Sequence, residues 1–372
     1  MHLSGRIITG KEMKIAIVTC YSDPDYVRAR VLRSALKLLP TVRLTIIKNK
    51  HSGLLRYPEV LWKVWQLKRT QKPDVYVLTF RGQEILPFIL LIIGKKPLIF
   101  DELIVPIAYT NNEHHIKSLT KRLYYFMARR SESMYRRWLR RCYAILADTA
   151  AHADLSARTS HVNLSKYTVV PIGTDETLFK PAAQIVKKTP FQVFYYSTGM
   201  QPLHGISYVL EAAELLKDNH DIEFLMVGGK KPLRSAVAAA VQSGAHIRYE
   251  AWISFDSLAA TMHESGICLG GPFGDTPQAH HVITTKTYQM LAAGCPVLVG
   301  ASEAVDEFFI DKQNALVVPQ ADASALAKAF VWAQKHPAEL AAIAQNGRIL
   351  YEKQFSQAAI ARILQPLLDE LS

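Results

Sequence analysis

The feature that most constrains the fold is an alternation, repeated along the whole chain, of short β-branched runs with longer segments of helical apolar spacing. This alternation is typical of parallel sheets whose connecting helices cover both faces. In the first half we predict strands at 14–20, 42–48, 74–79, 97–101, 143–147 and 168–170. In the second half we predict them at 192–197, 222–227, 246–249, 267–270, 297–299 and 315–318. The predicted fold class is α/β, with two doubly wound domains facing a cleft.

The length of the chain also favours two domains. A chain of 372 residues exceeds one ordinary core and suits two cores of about 150–200 residues each. The stretch PIGTDETLFKPAA, residues 171–183, reads as the junction. We therefore predict a disordered leader at 1–12, a first domain at 13–175 and a second at 176–354. The last segment, 355–372, is predicted to be a helix that packs back on the first domain.

Several protein classes are disfavoured by what the sequence lacks. The longest uncharged apolar run, residues 85–94, is shorter than the roughly 20 residues that cross a bilayer, and the start lacks the apolar core of a signal peptide. The cysteines Cys20, Cys142, Cys268 and Cys295 are far apart and have no metal-ligand spacing. We predict reduced core thiols, no metal site and a cytoplasmic protein.

Charge is distributed unevenly along the chain. Residues 1–175 carry 29 Lys and Arg against 13 Asp and Glu, whereas residues 176–372 carry 15 against 19. Nine of the cations lie in the aromatic-rich segment 117–141. Such a helix can lie on anionic lipid, meet nucleic acid or simply cover apolar surface with long side chains. We favour an anionic membrane surface, with the protein peripheral at its cytoplasmic face and no nucleic-acid partner.

Two glycine-containing loops follow predicted strands of the second half. Open α/β sheets bind ligands at the carboxyl ends of their strands, where glycine lets backbone approach a ligand. The first loop holds Gly199, His204 and Gly205 before an apolar-spaced helix, and the second holds Gly228. Free amides at a helix start favour an anion, and His204 would then be protonated beside it. A plain strand-to-helix turn explains the first loop about equally well, and the second loop is a common pattern.

The stretch HHVITTKTYQMLAAGCPVLVG, residues 280–300, places a lysine at the start of a helix. Thr284 or Thr285 is a good N-cap, and Gly294 is a good stop. Lys286 then lies in the first turn, where a cation opposes the helix dipole. A positive side chain at that position is favourable when an anion binds there, so the segment predicts a phosphate site.

The same stretch, with the segments STGMQPLHGISYVLEAAELL and YTVVPIGTDETLFKP, resembles glycosyltransferase family four, the group 1 glycosyltransferases. The resemblance covers nearly the whole chain from Met13. It implies a GT-B fold of two Rossmann-like domains and a nucleoside-diphosphate-sugar donor bound mainly by the second. It also implies sugar transfer with retention, without a metal or other cofactor. The implied donor-site residues include Thr284, Thr285, Lys286 and Tyr288.

This chain departs from the family pattern at two positions. The family usually has two glutamates separated by seven residues, and these places are taken here by His281 and Gln289. The resemblance implies that Gln289 bonds the donor ribose and that His281 contacts the donor sugar near the catalytic centre. The usual arginine and lysine of the glycine loop are replaced by Met200 and His204. Binding of the diphosphate is therefore predicted to depend on His204, Lys286 and backbone amides.

Candidate residues of the first domain lie at predicted strand ends. Asp101 and Glu102 end one strand and are expected to face the cleft, Asp101 as a catalytic residue and Glu102 on the acceptor side. A carboxylate capping the next segment is the alternative for this pair. Arg81 and Glu84, also at a strand end, are predicted to touch the acceptor. The sequence SDPD, residues 22–25, reads as a helix N-cap rather than a metal site.

Together these features predict a retaining, metal-independent glycosyltransferase, with a glycan or lipid-linked molecule as acceptor. The loss of both glutamates keeps a second hypothesis open, a degenerate GT-B module that binds a glycan or a partner protein without catalysis. A nucleic-acid binder is a third, suggested by charge alone.

Overall fold

A computed structural model describes residues 12–105, 133–182, 189–197, 201–229 and 231–371. The described strands form two parallel sheets. The first sheet contains β1 (Met13–Thr19), β2 (Val42–Lys48), β3 (Val75–Leu78), β4 (Leu98–Asp101), β5 (Ala144–Ala147) and β6 (Tyr167–Val169). The second contains β7 (Phe191–Tyr196), β8 (Ile222–Val227), β9 (Ile247–Glu250), β10 (Ile267–Leu269), β11 (Val297–Gly300) and β12 (Leu316–Val318). All the predicted strands are confirmed, to within a residue or so at either end.

The described helices connect these strands. Those of the first domain are α1 (Val27–Lys37), α2 (Arg56–Thr70), α3 (Leu86–Ile93) and α4 (Ala150–Ser160), and residues 133–139 are also helical. The second domain has α5 (Ile206–Leu215), α6 (Lys231–Gln242), α7 (Phe255–Glu264), α8 (Pro277–His281), α9 (Thr285–Ala292), α10 (Glu303–Asp306) and α11 (Ala323–Lys335). The chain closes with α12 (Pro337–Leu350), a π-helical turn (Tyr351–Phe355) and α13 (Gln357–Asp369).

Strand order places a crevice in each sheet. The first sheet runs β2-β1-β3-β4-β5-β6 and the second runs β12-β11-β10-β7-β8-β9. Each order reverses once, between β1 and β3 and between β7 and β10. The loops that leave a sheet on either side of such a reversal diverge and open a crevice at the carboxyl ends of the strands. The two doubly wound domains predicted from the sequence are therefore confirmed, and each offers one place for a ligand.

Helix α13 returns from the second domain to the first. Its apolar side lies in the same buried cluster as α1, with Ile360 and Leu364 beside Val31 and Leu32. Residues 171–182 make the other crossing between the domains. The chain therefore passes twice between the two sheets.

The prediction that SDPD caps a helix is wrong. Helix α1 begins at Val27, its N-cap is Tyr26, and no side chain bonds its first amides. Asp25 instead pairs with Arg33, at 2.8 Å, and with Lys48, at 2.7 Å. The carboxylate pairs with cations on α1 itself and at the end of β2, because a hydrogen bond between two charged groups is stronger than one to a neutral amide.

Candidate functional site

The two crevices face each other across the domain junction. Tyr26 follows β1 in the first sheet, and its hydroxyl lies within hydrogen-bonding reach of Thr285, at the start of α9 in the second domain. Burial raises the pKa of Tyr26 in spite of this contact. The start of α9 is therefore shared between the second-domain crevice and the first domain.

Lys286 is the most unusual side chain at this junction. It is 6% exposed, and its Nζ has no hydrogen-bond partner in the described part of the chain. The Nζ lies 3.9 Å from the centroid of the Tyr195 ring, whose face attracts a cation. Burial lowers the pKa of Lys286 to about 7. A buried ammonium without a counter-ion is costly, so this position is suited to an anionic ligand.

His204 stands beside Lys286. Burial, together with the Lys286 charge, lowers the pKa of His204 to about 3. Its Nδ1 is also buried without a partner among the described residues. The sequence predicted a protonated histidine beside a diphosphate, whereas burial and the Lys286 charge by themselves favour the neutral imidazole. An anion placed between the two side chains would favour the charged form of both.

Gly205 allows the His204 loop to touch the loop after β10. Its φ is +60°, and a Cβ there would lie 2.4 Å from the carbonyl carbon of Phe273. The amide of Gly274 donates to the Leu203 carbonyl at 3.0 Å. The loops on both sides of the β7/β10 reversal are thus locked together, which holds His204 at the mouth of the crevice.

The start of α9 is only partly as predicted. Thr284 is its N-cap, as expected, but the threonine side chain does not cap the helix. Its hydroxyl donates to the Gly270 carbonyl at 2.6 Å. The hydroxyl therefore joins the loop after β10 to the helix, and it accepts no bond from the first-turn amides.

Two donor-site predictions on α9 have different outcomes. Tyr288 is wrong as a donor contact: its side chain is fully buried, and its ring packs edge-on against Phe355 at 5.0 Å. Two residues beyond Lys286, it lies on another side of the helix, toward the π-helical turn. Gln289 is 4% exposed and accepts a hydrogen bond from the Tyr196 hydroxyl. The Oε1 atom therefore already accepts a hydrogen bond within the protein. This leaves the NH2 of the Gln289 amide for the predicted contact with a ribose.

Asp101 and Glu102 do not face the cleft as expected. Both are 1% exposed. Asp101 binds Arg28 at 2.9 Å, and Arg28 also donates to the carbonyls of Val170 and Pro171, each at 2.6 Å. Burial raises the pKa of Glu102 in spite of its hydrogen bonds.

The bonds to Glu102 come from Ser156 and Tyr135. A strand end fixes which edge of the sheet a residue occupies, but the partners that cover these carboxylates come from distant segments. The structure thus gives both side chains internal partners.

The other predicted first-domain residues lie nearer the surface. Arg81 is exposed in a left-handed conformation with φ +64°, and its guanidinium lies 5.4 Å from the Phe80 ring centroid. Glu84 accepts from Arg56, at 3.1 Å, and from Tyr57. Arg81 therefore lies at the crevice of the first sheet, whereas Glu84 is engaged by two neighbours.

Three aromatic rings at the first crevice were missed. Tyr21 and Tyr26 follow β1, Phe80 follows β3, and their ring centroids are 5.5–6.0 Å apart. The available signal was their position: aromatic residues directly after the two strands that flank the reversal. The rings and Arg81 form a partly apolar surface, and its Tyr26 reaches Thr285 at the start of α9.

The remaining predicted residues are placed as follows. His281 Nδ1 donates to the Pro277 carbonyl at 2.6 Å, and the His281 backbone carbonyl accepts from the Thr149 hydroxyl of the first domain at 2.7 Å. Gly228 has φ +86°, and a Cβ there would lie 2.5 Å from the Ser197 carbonyl oxygen. Gly199 and Met200 lie outside the described residues. The structure therefore joins His204, Gly205, Thr285 and Lys286 at one crevice, with His281 at the domain contact.

Comparison with known proteins agrees with this architecture. Residues 209–365 match a family described as glycosyl transferase-like. The Anabaena protein Alr3699/HepE in complex with UDP-glucose is similar with a TM-score of 0.69 and 13% identity, over 96% of this chain and 100% of that one. Sucrose-phosphate synthase from Thermosynechococcus elongatus gives a TM-score of 0.70 and 17% identity, over 96% and 99%. The chain therefore has the GT-B fold. The match over residues 209–365 agrees with the family resemblance.

A curated relative of this GT-B chain is an MMP alpha-(1->4)-mannosyltransferase from Mycolicibacterium hassiacum. It is 24% identical over 249 residues, which make up 66% of this chain and 57% of the relative. The match therefore spans little more than half of that protein's length.

Hydrogen bonds connect the two domains of this GT-B protein at the N-terminus of α4. Besides the Thr149 bond to His281, the carboxylate of Glu307 accepts from the amides of Ala150 and Ala151, each at 2.7 Å. A carboxylate at a helix N-terminus is favourable because it meets unpaired amides and the positive end of the dipole. A second-domain residue thus caps a first-domain helix beside the crevices.

Proposed function

We propose that this protein is a retaining, metal-independent glycosyltransferase that uses a nucleoside-diphosphate-sugar. The observation that carries the proposal is the buried Lys286, which has no hydrogen-bond partner among the described residues and lies beside His204 at the second-sheet crevice. Burial makes the charged forms of both side chains costly. A bound diphosphate would offset that cost by pairing with them. This pair supports metal independence, since it would supply the positive charge that a metal supplies elsewhere.

The chemistry requires charge to be stabilised on the leaving group. As the bond from the anomeric carbon to the diphosphate oxygen breaks, negative charge grows on the diphosphate, which takes up the proton that the acceptor hydroxyl loses as the new glycosidic bond forms. Lys286, His204 and the first amides of α9 would act where this charge develops. Retention of configuration is carried over from the family resemblance.

The substrates are proposed by chemistry. UDP-glucose is bound by the similar Anabaena protein, so UDP and its sugars are the first donors to test. The acceptor is proposed to be a glycan or a lipid-linked molecule. The rings of Tyr21, Tyr26 and Phe80 support this, since aromatic faces pack well against the apolar faces of sugar rings.

The decisive experiment is calorimetric titration with UDP, GDP and dTDP in the presence of EDTA. We expect one of them to bind, and Lys286→Met to weaken it by about tenfold or more, since a charge-assisted bond contributes about 1.5–3 kcal/mol. Lys312→Met is the matched control, because Lys312 also lies over an aromatic ring, that of Trp332 at 4.8 Å. Loss of binding with EDTA, or equal affinity in Lys286→Met, would contradict the proposal.

The second candidate is a GT-B module that binds without catalysis. His281 and Gln289, in place of the usual glutamates, favour it. Release of free sugar from a bound donor, or its transfer to an acceptor, separates the two: a module that binds nucleotide but never cleaves the donor supports the second candidate. Tight binding to duplex DNA that weakens with salt would instead favour the nucleic-acid hypothesis.

Membrane association through residues 117–141 also stays a proposal. Only 133–141 of this segment lie within the described residues, and there Tyr135 and Trp138 pack against the first-domain core. No described helix has the length and apolar character to cross a bilayer.

A further inference from the structure

Helices α2 and α3 carry an apolar surface that the described residues of their own domain leave exposed. They lie side by side on one face of the first sheet and contribute Val60, Val64, Ile89 and Leu90 to the same core. Their outward sides carry Trp62 at 58% exposure, Trp65 at 42%, Phe88 at 52% and Leu91 at 64%. Residues three apart on a helix share a side, so each helix presents a pair of large apolar side chains to solvent. We call these four residues the α2/α3 face.

Cations border this face at one end. Helices α2 and α3 each join consecutive strands of a parallel sheet, so they run in the same direction and their last turns lie at one edge. That edge holds Lys68 and Arg69, and Lys95 follows α3 directly. The Arg69 guanidinium lies 4.0 Å from the Trp65 ring centroid. None of the three forms an ion pair with a described residue.

Nearby acids do not cancel this charge. Glu59 accepts from Lys63 and from the amides of Lys50 and His51. Asp74 accepts from the amide of Lys14 at 3.0 Å and lies 3.6 Å from Lys96. Each of these carboxylates is engaged by a neighbour, so the outward charge at the edge is positive.

We propose that the α2/α3 face docks on an anionic phospholipid surface. Tryptophan at a bilayer interface places its apolar ring among the acyl chains and its N–H among the headgroups, and adjacent lysine and arginine side chains meet the phosphates. Charge complementarity favours this occupant over a second copy, because two copies of a positively edged face would repel. The inference is independent of the transfer reaction and rests on residues other than the basic segment 117–141.

Flotation with phosphatidylglycerol-containing and pure phosphatidylcholine vesicles tests the proposal, with no donor present. We expect the wild-type protein to float with the anionic vesicles at low salt and to be released at high salt. Replacing Trp62, Trp65, Phe88 and Leu91 with Ser should weaken binding about tenfold or more, since the apolar area entering the bilayer is lost. The matched control is Leu215→Ser with Val241→Ser, which removes side chains of 57% and 45% exposure from the second domain. This control should float like the wild type.

A second variant keeps the apolar side chains in place. Lys68→Gln, Arg69→Gln and Lys95→Gln together should reduce flotation at low salt, whereas Lys217→Gln, Lys328→Gln and Lys335→Gln in the second domain should not. Melting curves confirm that each variant is folded. In variants that retain a single tryptophan, brominated lipid should quench the fluorescence of Trp62 and of Trp65. It should not quench the fluorescence of Trp332.

Three results would overturn the inference. One is a wild-type protein that does not float with anionic vesicles at low salt. Another is a folded four-serine variant that floats as well as the wild type while a variant with Arg129, Arg130, Arg136 and Arg137 changed to Gln does not, since the basic segment would then be the anchor. The third is a wild-type dimer, broken by the serine substitutions, with no vesicle binding, since the face would then join two copies.

Discussion

Lys286 Nζ lies 3.9 Å from the centroid of the Tyr195 ring and has no acidic partner in the described part of the molecule. The ring face offers partial compensation for the lost hydration of an ammonium. The lysine is therefore poised between its neutral and charged forms near physiological pH, with a pKa of about 7.

Stability should rise with pH because of this lysine. Its pKa is lowered from 10.5 to about 7 on folding, so between these values the unfolded chain binds a proton that the folded protein does not. The free energy of unfolding then increases with pH across that window, by a few kcal/mol at most. Lys286→Met should remove this rise, whereas Lys312→Met should retain it. Urea titrations near pH 7 and near pH 9 measure the difference, and a pH-independent gap between wild type and Lys286→Met would refute it.

Binding of a nucleoside diphosphate should take up a proton. At about pH 8 the free lysine is mostly neutral, and a bound diphosphate raises its pKa because an opposite charge favours the ammonium. Calorimetry in two buffers with different heats of ionisation should show uptake of up to about one proton in the wild type. Uptake that persists in Lys286→Met would assign the proton to another group, such as His204.

Gly205→Ala should be far more damaging than a glycine substitution in open space. Gly205 and Gly53 have φ near +60°, but a Cβ would lie 2.4 Å from Phe273 backbone at the first and would meet nothing within 4 Å at the second. Gly53→Ala should cost about 1 kcal/mol in backbone strain. Gly205→Ala should cost several kcal/mol and weaken nucleotide binding. Chemical denaturation and titration with UDP measure both, and similar losses of stability in the two variants would argue against the tight loop contact.

Gln289 tests whether α9 contacts the donor ribose. A hydrogen bond from the ribose hydroxyl to a carboxylate is about twice as strong as one with the neutral amide nitrogen, so Gln289→Glu should tighten donor binding and Gln289→Ala should weaken it. Tyr196→Phe is the control, because it removes the hydrogen bond to Oε1 and leaves the amide in place. If donor affinity is the same in both Gln289 variants, this position does not touch the ribose.

Asp101→Ala should reduce stability more than it reduces transfer by the folded protein. It leaves the Arg28 guanidinium buried without its carboxylate, and breaking such a pair costs about 3–5 kcal/mol. Asp154→Ala breaks the exposed pair with Arg158 and should cost under about 1 kcal/mol. Thermal melts and transfer assays below the melting point are the measurements. A variant that keeps wild-type stability but loses transfer would restore a catalytic role to Asp101.

The sheets were predictable because β-branched runs and helical spacing are local patterns. Lys286 was predictable as well, since its conflict with the helix dipole is visible within a single turn. The burial of Asp101 in an ion pair could not be predicted, because its partner Arg28 is 73 residues away and only the tertiary fold brings the two together. Tyr288 was predicted as a donor-site residue from the family resemblance, but positions two apart on a helix point in different directions, and Tyr288 packs against Phe355. Side-chain direction at a strand end, and coverage by distant segments, are what the sequence pattern left undetermined.

Helix α13 has a consequence for the order in which the protein matures. The apolar side of α1 is buried by Ile360, Leu364 and Leu368, which are synthesised after the whole second domain. During translation, part of the first domain's core therefore stays exposed to solvent. This apolar surface is covered only after α13 has left the ribosome. The domain that is made first is the one that is completed last.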